Sequence, residues 1–339
     1  LGSRVRLVGS AVRPLVGDGV LGRAVDALGG PMDGKGPVRG TPAEEALAPA
    51  LDRVTPSRQL ITGLRAIDGV TPLAEGQRIG VFAAPGVGKT TLLGRLAAQV
   101  QADYCVLCLV GERGREVEAL WSGLAPEARA RTVMVAATSD ETAAMRAQAV
   151  EQALALAGAW RAQGRHVLLL LDSATRYAMA LREIGLAAGE PPTVRAYTPG
   201  VFSALPRLVE RCGARRHGGA VTAIMTVLSE TDDVDDPITE VMKSLLDGHL
   251  VLSRRIAEQG RYPAIDISRS LSRLADRVMK PAHRDLAARA LASISAYEAS
   301  RIMIEAGVYA AGSNPETDAA IPPRPALGAF LPPREEAAP

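Results

Sequence analysis

Aromatic side chains are scarce in this chain, making up 3% of its 339 residues. A core without rings must be filled by Leu, Val, Ile and Ala, as in a parallel sheet buried by helices. Cysteine is also rare: three residues do not make a disulfide framework. Cys105 and Cys108 form a C-x-x-C inside the apolar run Tyr104–Val110. Three positions apart on a strand, they point to opposite faces, badly placed to share a metal, and read as two small buried hydrophobes. Reduced cysteines suit a cytoplasmic protein. No excess of one charge sign exists either, since the formal net charge is +2. That is no footprint for nucleic acid. Long apolar runs are missing as well. The longest near the middle, Val167–Leu171, is far too short to span a bilayer. His166, His217, His249 and His283 form no metal spacing and read as structural, and the acidic run 232–236 reads as a solvated loop. The chain begins with Leu1 and no signal-peptide pattern, which reads as a start that has lost upstream sequence.

What is present is a change of rhythm. Short apolar stretches (Val5, Leu7 and Val8, then Val20 and Leu21) lie between Gly-Asp-Gly and Gly-Gly turns. They read as the last strands of a small β-barrel over residues 1–40. Residues 41–56 look like a connector. From Gly63 onward strands alternate with helices. Strands are predicted at 78–83, 104–110, 133–137, 166–171, 221–227 and 249–252. Helices are predicted at 90–101, 141–163 and 240–246, with one more between the strands at 166–171 and 221–227. Such alternation specifies an α/β fold with a parallel sheet. After Leu274 the strands cease. Residues 285–304 read as an Ala-rich helix and the Pro-rich end, 321–339, as a poorly ordered tail. The expected division is a barrel remnant at 1–40, a nucleotide-binding domain at 41–275 and a small helical domain at 276–339.

The strongest chemical signal is Ala83-Ala84-Pro85-Gly86-Val87-Gly88-Lys89-Thr90-Thr91, between a predicted strand and a predicted helix. Polyphosphate carries several negative charges and needs many donors close together. Gly86 and Gly88 let the backbone of Pro85–Thr91 curl into a nest of N–H groups at the positive end of the next helix. Lys89 supplies a mobile ammonium, and the Thr90 hydroxyl is a ligand for Mg²⁺. Ala83 stands where the first glycine of G-x-x-x-x-G-K-[ST] is expected. Asp172 ends the apolar strand, at the sheet edge where nucleotides bind, and suits a carboxylate facing Mg²⁺. Glu112 follows another strand, 23 residues past Lys89 (112 − 89). It is the candidate for polarising the attacking water. A solvated, salt-bridged turn around Arg113, Arg115 and Glu116 remains the alternative there.

The runs GERGREVEAL, LLLLDSATRYAMALREIGLAAGEPP, TVLSETDDVDDPI, LLDGHLVLSRRIAEQGRYPAIDISRSLSR and GVYAAGSNPETDAAI closely resemble the flagellar and type III secretion export ATPases. These are relatives of the catalytic subunit of rotary ATP synthases, and the resemblance runs from about residue 21 to 330. Ala83 also matches the export branch. The segment Gly307–Ser313 is more similar to the flagellar enzyme than to the virulence one. The resemblance implies a RecA-like P-loop core and ATP hydrolysis with Mg²⁺. It makes Lys89 and Thr90 the phosphate and Mg²⁺ ligands, Asp172 the Mg²⁺ carboxylate and Glu112 the catalytic carboxylate. It makes Arg273 an arginine finger reaching a neighbouring subunit, Tyr262 the ring that stacks on adenine, and brings Arg113 near the γ-phosphate.

Also implied are a homohexamer, export-apparatus stalk and regulator proteins, chaperone–substrate complexes, and a cytoplasmic location peripheral to the inner membrane, with no nucleic acid. Ala174 and Arg261 depart from the family pattern at positions away from the proposed chemistry. Only the last strands of the family's barrel domain are expected here, which leaves weak assembly and weak activity as the expectation. Three alternatives stand beside this reading: a catalytic subunit of a rotary ATPase, a non-catalytic ring subunit, and a hexameric nucleic-acid translocase. Glu112 argues against the second, since glutamine is typical there. Balanced charge and the lack of an aromatic-rich basic module argue against the third.

Overall fold

Five consecutive apolar residues, Val167–Leu171, leave a strand no polar face, so it is stable only with both sides covered. The computed structural model describes residues 14–43, 49–228 and 236–331. The strand expected at Val5–Val8, most of the acidic run and the last eight residues of the tail lie outside them.

Ten strands join into the main sheet: β1 (Ala24–Val25), β2 (Arg53–Val54), β3 (Arg78–Ala83), β4 (Tyr104–Val110), β5 (Thr132–Ala137), β6 (His166–Asp172), β7 (Gly213–Arg215), β8 (Ala220–Leu228), β9 (Gly248–Leu252) and β10 (Ile265–Ser272). Along the sheet the order is β10-β9-β3-β8-β6-β4-β5-β1. All neighbours in that path run parallel except β9 and β10. β7 pairs antiparallel with β8 and carries β2 on its other side.

Side chains alternate between two cores, as a period of two requires. Val167, Leu169 and Leu171 face one cluster, Leu168 and Leu170 the other. Cys108 belongs to the first and Cys105 to the second. Burial pushes the Cys105 thiol up to about 12 and raises Cys108 as well. α1 (Lys89–Gln99) and α2 (Gly114–Ser122) cover the Leu168 side through Leu92, Leu93, Leu96, Val117 and Leu120. α3 (Ala143–Ala162), α4 (Ala174–Ala187), α5 (Pro199–Glu210) and α6 (Pro237–Leu245) cover the other. Trp160 of α3 is fully buried there. α7 (Pro281–Glu305) packs Ile294 onto the α1 side and is followed by α8 (Pro315–Ala320) and α9 (Arg324–Phe330).

Four expectations need correction. Val20 and Leu21 are not a strand. Asp18–Val20 is a tight turn of 3₁₀ helix between Gly17 and Gly22, both at positive φ. Ile265–Ser272 is a strand although no continuous apolar run marks it. Two helices, α4 and α5, lie between β6 and β7 rather than one. The Pro-rich end is ordered over 324–330, because Pro325 falls in the first turn, where its missing N–H costs nothing. Arg65 stacks over the Phe330 ring at 5.5 Å and donates to its carbonyl at 3.1 Å. Near the start of the described chain Leu15–Val16 pair antiparallel with Thr41–Pro42, the latter within the expected connector, and β1 lies at the edge of the main sheet.

Candidate active site

β3, β8, β6 and β4 are neighbours, and all four end at the same edge. From β3 the chain passes through Ala84–Gly88 into α1. Gly86 and Gly88 sit at φ +80° and +84°, a region that costs most other residues about 1 kcal/mol. A Cβ on Gly88 would also lie 3.0 Å from two atoms of the Tyr262 ring. Val87 is buried, while Pro85, Gly86 and Thr91 are exposed and Thr90 half-buried. α1 begins at Lys89 with no side-chain cap. Its first N–H groups therefore have no helical partner and point at the loop's concavity, the electrostatics of an anion site.

The residues singled out from sequence converge here. Lys89 Nζ lies 2.6 Å from Asp172 Oδ1 and 3.2 Å from Glu112 Oε1. Asp172 closes β6, Glu112 follows β4 after Gly111, and both carboxylates are buried. Burial pushes the Asp172 carboxyl above its ordinary range and nearby Glu112 adds to this. Lys89 and Thr226 pull it back. Thr90 in the first turn of α1 and Asp172 at the end of β6 carry hard oxygen donors of the kind magnesium takes.

Two functional side chains were missed. Thr226 on β8 donates its hydroxyl to Asp172 Oδ1 at 2.7 Å. Arg176 on α4 donates to the Gly111 carbonyl and places Nε 3.4 Å from Glu112 Oε1. Arg176 stands in the DSATRY segment, where a buried-strand carboxylate followed by an arginine was a usable signal. Thr226 opens the run TVLSETDDVDDPI that carried the resemblance, but a threonine among apolar neighbours gives no sign of its contact with Asp172.

The other candidates stand outside this ion-paired cluster. Arg113 is mostly exposed and its guanidinium reaches Glu116 at 3.9 Å, the solvated turn weighed as the alternative. Tyr262 is half-exposed against Gly88, beside Arg261 and Pro263. Arg273 follows β10 at the opposite sheet edge. Its N–H donates to Asp247 O, its guanidinium to Lys243 O, and Asp247 adjoins Arg78 at the start of β3. A six-residue strand spans about 20 Å, so Arg273 cannot serve its own loop. Three histidine rings bond to protein: His166 to Thr222, His249 to Arg269 O and His283 to Gly69 O.

The model of the ATP synthase alpha/beta family nucleotide-binding domain matches residues 63–272. The chain belongs to that family. A second model, the T3SS EscN ATPase C-terminal domain, matches 279–336. The chain is 44% identical to the flagellum-specific ATP synthase of Bacillus subtilis, over 97% of its own length and 76% of that protein. It is 47% identical to the SPI-2 type 3 secretion system ATPase of Salmonella typhimurium, over 93% and 73%. Among solved structures, the assembled ATPase EscN of enteropathogenic E. coli superposes with a TM-score of 0.89 at 42% identity, covering 96% of this chain and 79% of that one. EscN has also been solved in complex with its central stalk EscO, with a TM-score of 0.86. This family member is thus an ATPase of the flagellar and type III secretion kind, and ATP is its substrate.

Proposed function

We propose that the chain hydrolyses ATP with magnesium in a homohexameric ring, each site being completed by Arg273 of a neighbouring copy, and that hydrolysis drives protein export. The observation that carries this is one cation between two buried carboxylates beside a phosphate loop, with Arg273 at the far edge of the same sheet. Pro85–Thr91 wraps the phosphates and Lys89 turns its ammonium to the β- and γ-oxygens. Thr90 and Asp172 hold the magnesium, which neutralises phosphate charge. Glu112, steadied by Arg176, orients the water whose oxygen bonds to the γ-phosphorus as the bond to the ADP oxygen breaks. Arg273 from the neighbour stabilises the charge spread over the transferring group. Tyr262 stacks on adenine, and Arg113 approaches the γ-phosphate from the loop after β4. The division into residues 41–275 as motor and 276–339 as helical domain goes with this reading.

Among the described residues no helix is long and apolar enough to cross a membrane. We place the ring in the cytoplasm, against the inner-membrane export apparatus, with a stalk protein, a regulator and chaperone–substrate complexes as partners. The likeness to EscN, solved with its central stalk, supports the stalk. Mixing two inactive variants tests the shared site. Lys89→Ala keeps Arg273, and Arg273→Ala keeps the loop, so mixed rings regain turnover. No recovery at any ratio, or a specific activity independent of protein concentration, overturns the shared site.

A further inference from the structure

Asp172 accepts two hydrogen bonds on one oxygen, from Lys89 at 2.6 Å and from Thr226 at 2.7 Å. The two donors differ in what they are free to do. Lys89 heads a flexible four-carbon stem at the start of α1 and is the group that turns to incoming phosphates. Thr226 has a single side-chain torsion, is 0% exposed, and sits in the middle of the sheet. Its strand, β8, lies between β3, which feeds the phosphate loop, and β6, which ends in Asp172. The register pairs Thr226 with Val81 of β3, and its second acceptor contact is Leu171 O at 3.4 Å.

When the ammonium departs, Asp172 loses its shorter ionic contact. At 1% exposure water does not replace it freely. Glu112 meets the same moment with Arg176 still beside it. Among the described residues Asp172 then keeps Thr226 alone as a side-chain donor. We propose that Thr226 is a positioning residue: it holds the Asp172 carboxylate in place after Lys89 has turned to the phosphates of ATP. The inference rests on the reading above that Lys89 binds phosphate and Asp172 holds the magnesium. A hydroxyl donating to a carboxylate is among the stronger neutral–ion contacts, so its loss is felt in metal binding before it is felt in folding.

Manganese is the probe. Mn²⁺ is titrated into the full chain carrying a non-hydrolysable ATP analogue, and free Mn²⁺ is read by electron paramagnetic resonance. A fluorescent ATP analogue in EDTA reports nucleotide binding without metal. Thr226→Val, which keeps the shape and removes the donor, is expected to weaken Mn²⁺ binding about tenfold and to leave metal-free nucleotide binding within about twofold. Thr226→Ser restores the hydroxyl and is expected to return Mn²⁺ binding to within about threefold of the parent. If Thr226→Val does not fold, Thr226→Ala carries the same comparison. Asp172→Ala is the control that separates the two layers. Weak binding in Asp172→Ala with parent-like binding in Thr226→Val overturns the inference alone. Parent-like Mn²⁺ binding in Asp172→Ala overturns the reading beneath it. Loss of metal-free nucleotide binding in Thr226→Val, or no rescue by serine, also overturns the positioning role.

Discussion

Lys89 and Glu298 are both hubs of charge, and they are built in opposite ways. Lys89 is one cation between two carboxylates, with side chains 13%, 7% and 2% exposed. Glu298 is one carboxylate among three guanidiniums, Arg255 at 2.7 Å and Arg301 and Arg324 at 3.2 Å, with side chains 18–31% exposed. The first set is desolvated, so its charges act strongly on one another and are costly to bury. The second keeps its water and is screened by salt. A strong, expensive cluster at a strand edge is the mark of a site, while the wetter cluster ties α7 to Arg255 and to α9. The contrast tells binding chemistry from surface attachment without reference to residue type.

The largest effect that can break this contrast is at Lys89. Lys89→Ala is expected to reduce hydrolysis to background and to cost about 3 kcal/mol or more, since two buried carboxylates lose their shared partner. The pH dependence has a definite sign. The Asp172 carboxyl is already raised by burial, and losing the ammonium raises it further. A raised carboxyl contributes stability at acidic pH that is lost as pH climbs through its folded value. The variant's deficit in urea midpoint should therefore be smaller at pH 5 than at pH 8. An equal deficit at both would show that Asp172 is not the group left unpaired.

Next comes Arg273→Ala, expected to lower turnover about 10³-fold with no change in unfolding midpoint, because its guanidinium makes an exposed hydrogen bond to the Lys243 carbonyl. A normal rate would leave the far edge of the sheet without a catalytic part. Glu112→Gln is expected to slow single-turnover hydrolysis by about 10²-fold while nucleotide affinity stays within a few-fold. Equal losses in affinity and rate would make Glu112 a binding group. The smallest effect is at the wetter hub. Glu298→Ala should cost about 1 kcal/mol or less at low salt, and adding 1 M salt should bring parent and variant together. A loss that persists in salt would mean that this hub is as desolvated as the other.

Much of the fold was legible because the sheet is parallel and buried. Continuous apolar runs marked β3 and β4 at 78–83 and 104–110, and marked β6 to within one residue. β10 was not legible in that way. It is the antiparallel outer strand, its Ile265 and Ile267 buried but Asp266, Ser268, Arg269 and Ser270 interspersed with its apolar residues, so it lacks the continuous run. α9 was hidden by prolines whose cost depends on their place in a turn, which composition does not record. In the site, Lys89, Asp172 and Glu112 were readable as strand-end and loop residues, and the structure joins all three. Thr226 was not readable, since a threonine in a central strand looks the same whether it meets a carboxylate or a backbone carbonyl.

By itself the sequence determined what depends on near neighbours along the chain. It set the alternation of strands and helices, the glycines of the phosphate loop, and the presence of an ammonium and a hydroxyl at the start of α1. Only the tertiary structure decided what depends on lateral order in the sheet. Placing β8 between β3 and β6 gives Asp172 its second donor. Running β10 antiparallel along β9 carries Arg273 to the edge opposite its own loop. Strand order is fixed by which buried faces pack best together, a property of the whole core that no local stretch of residues encodes.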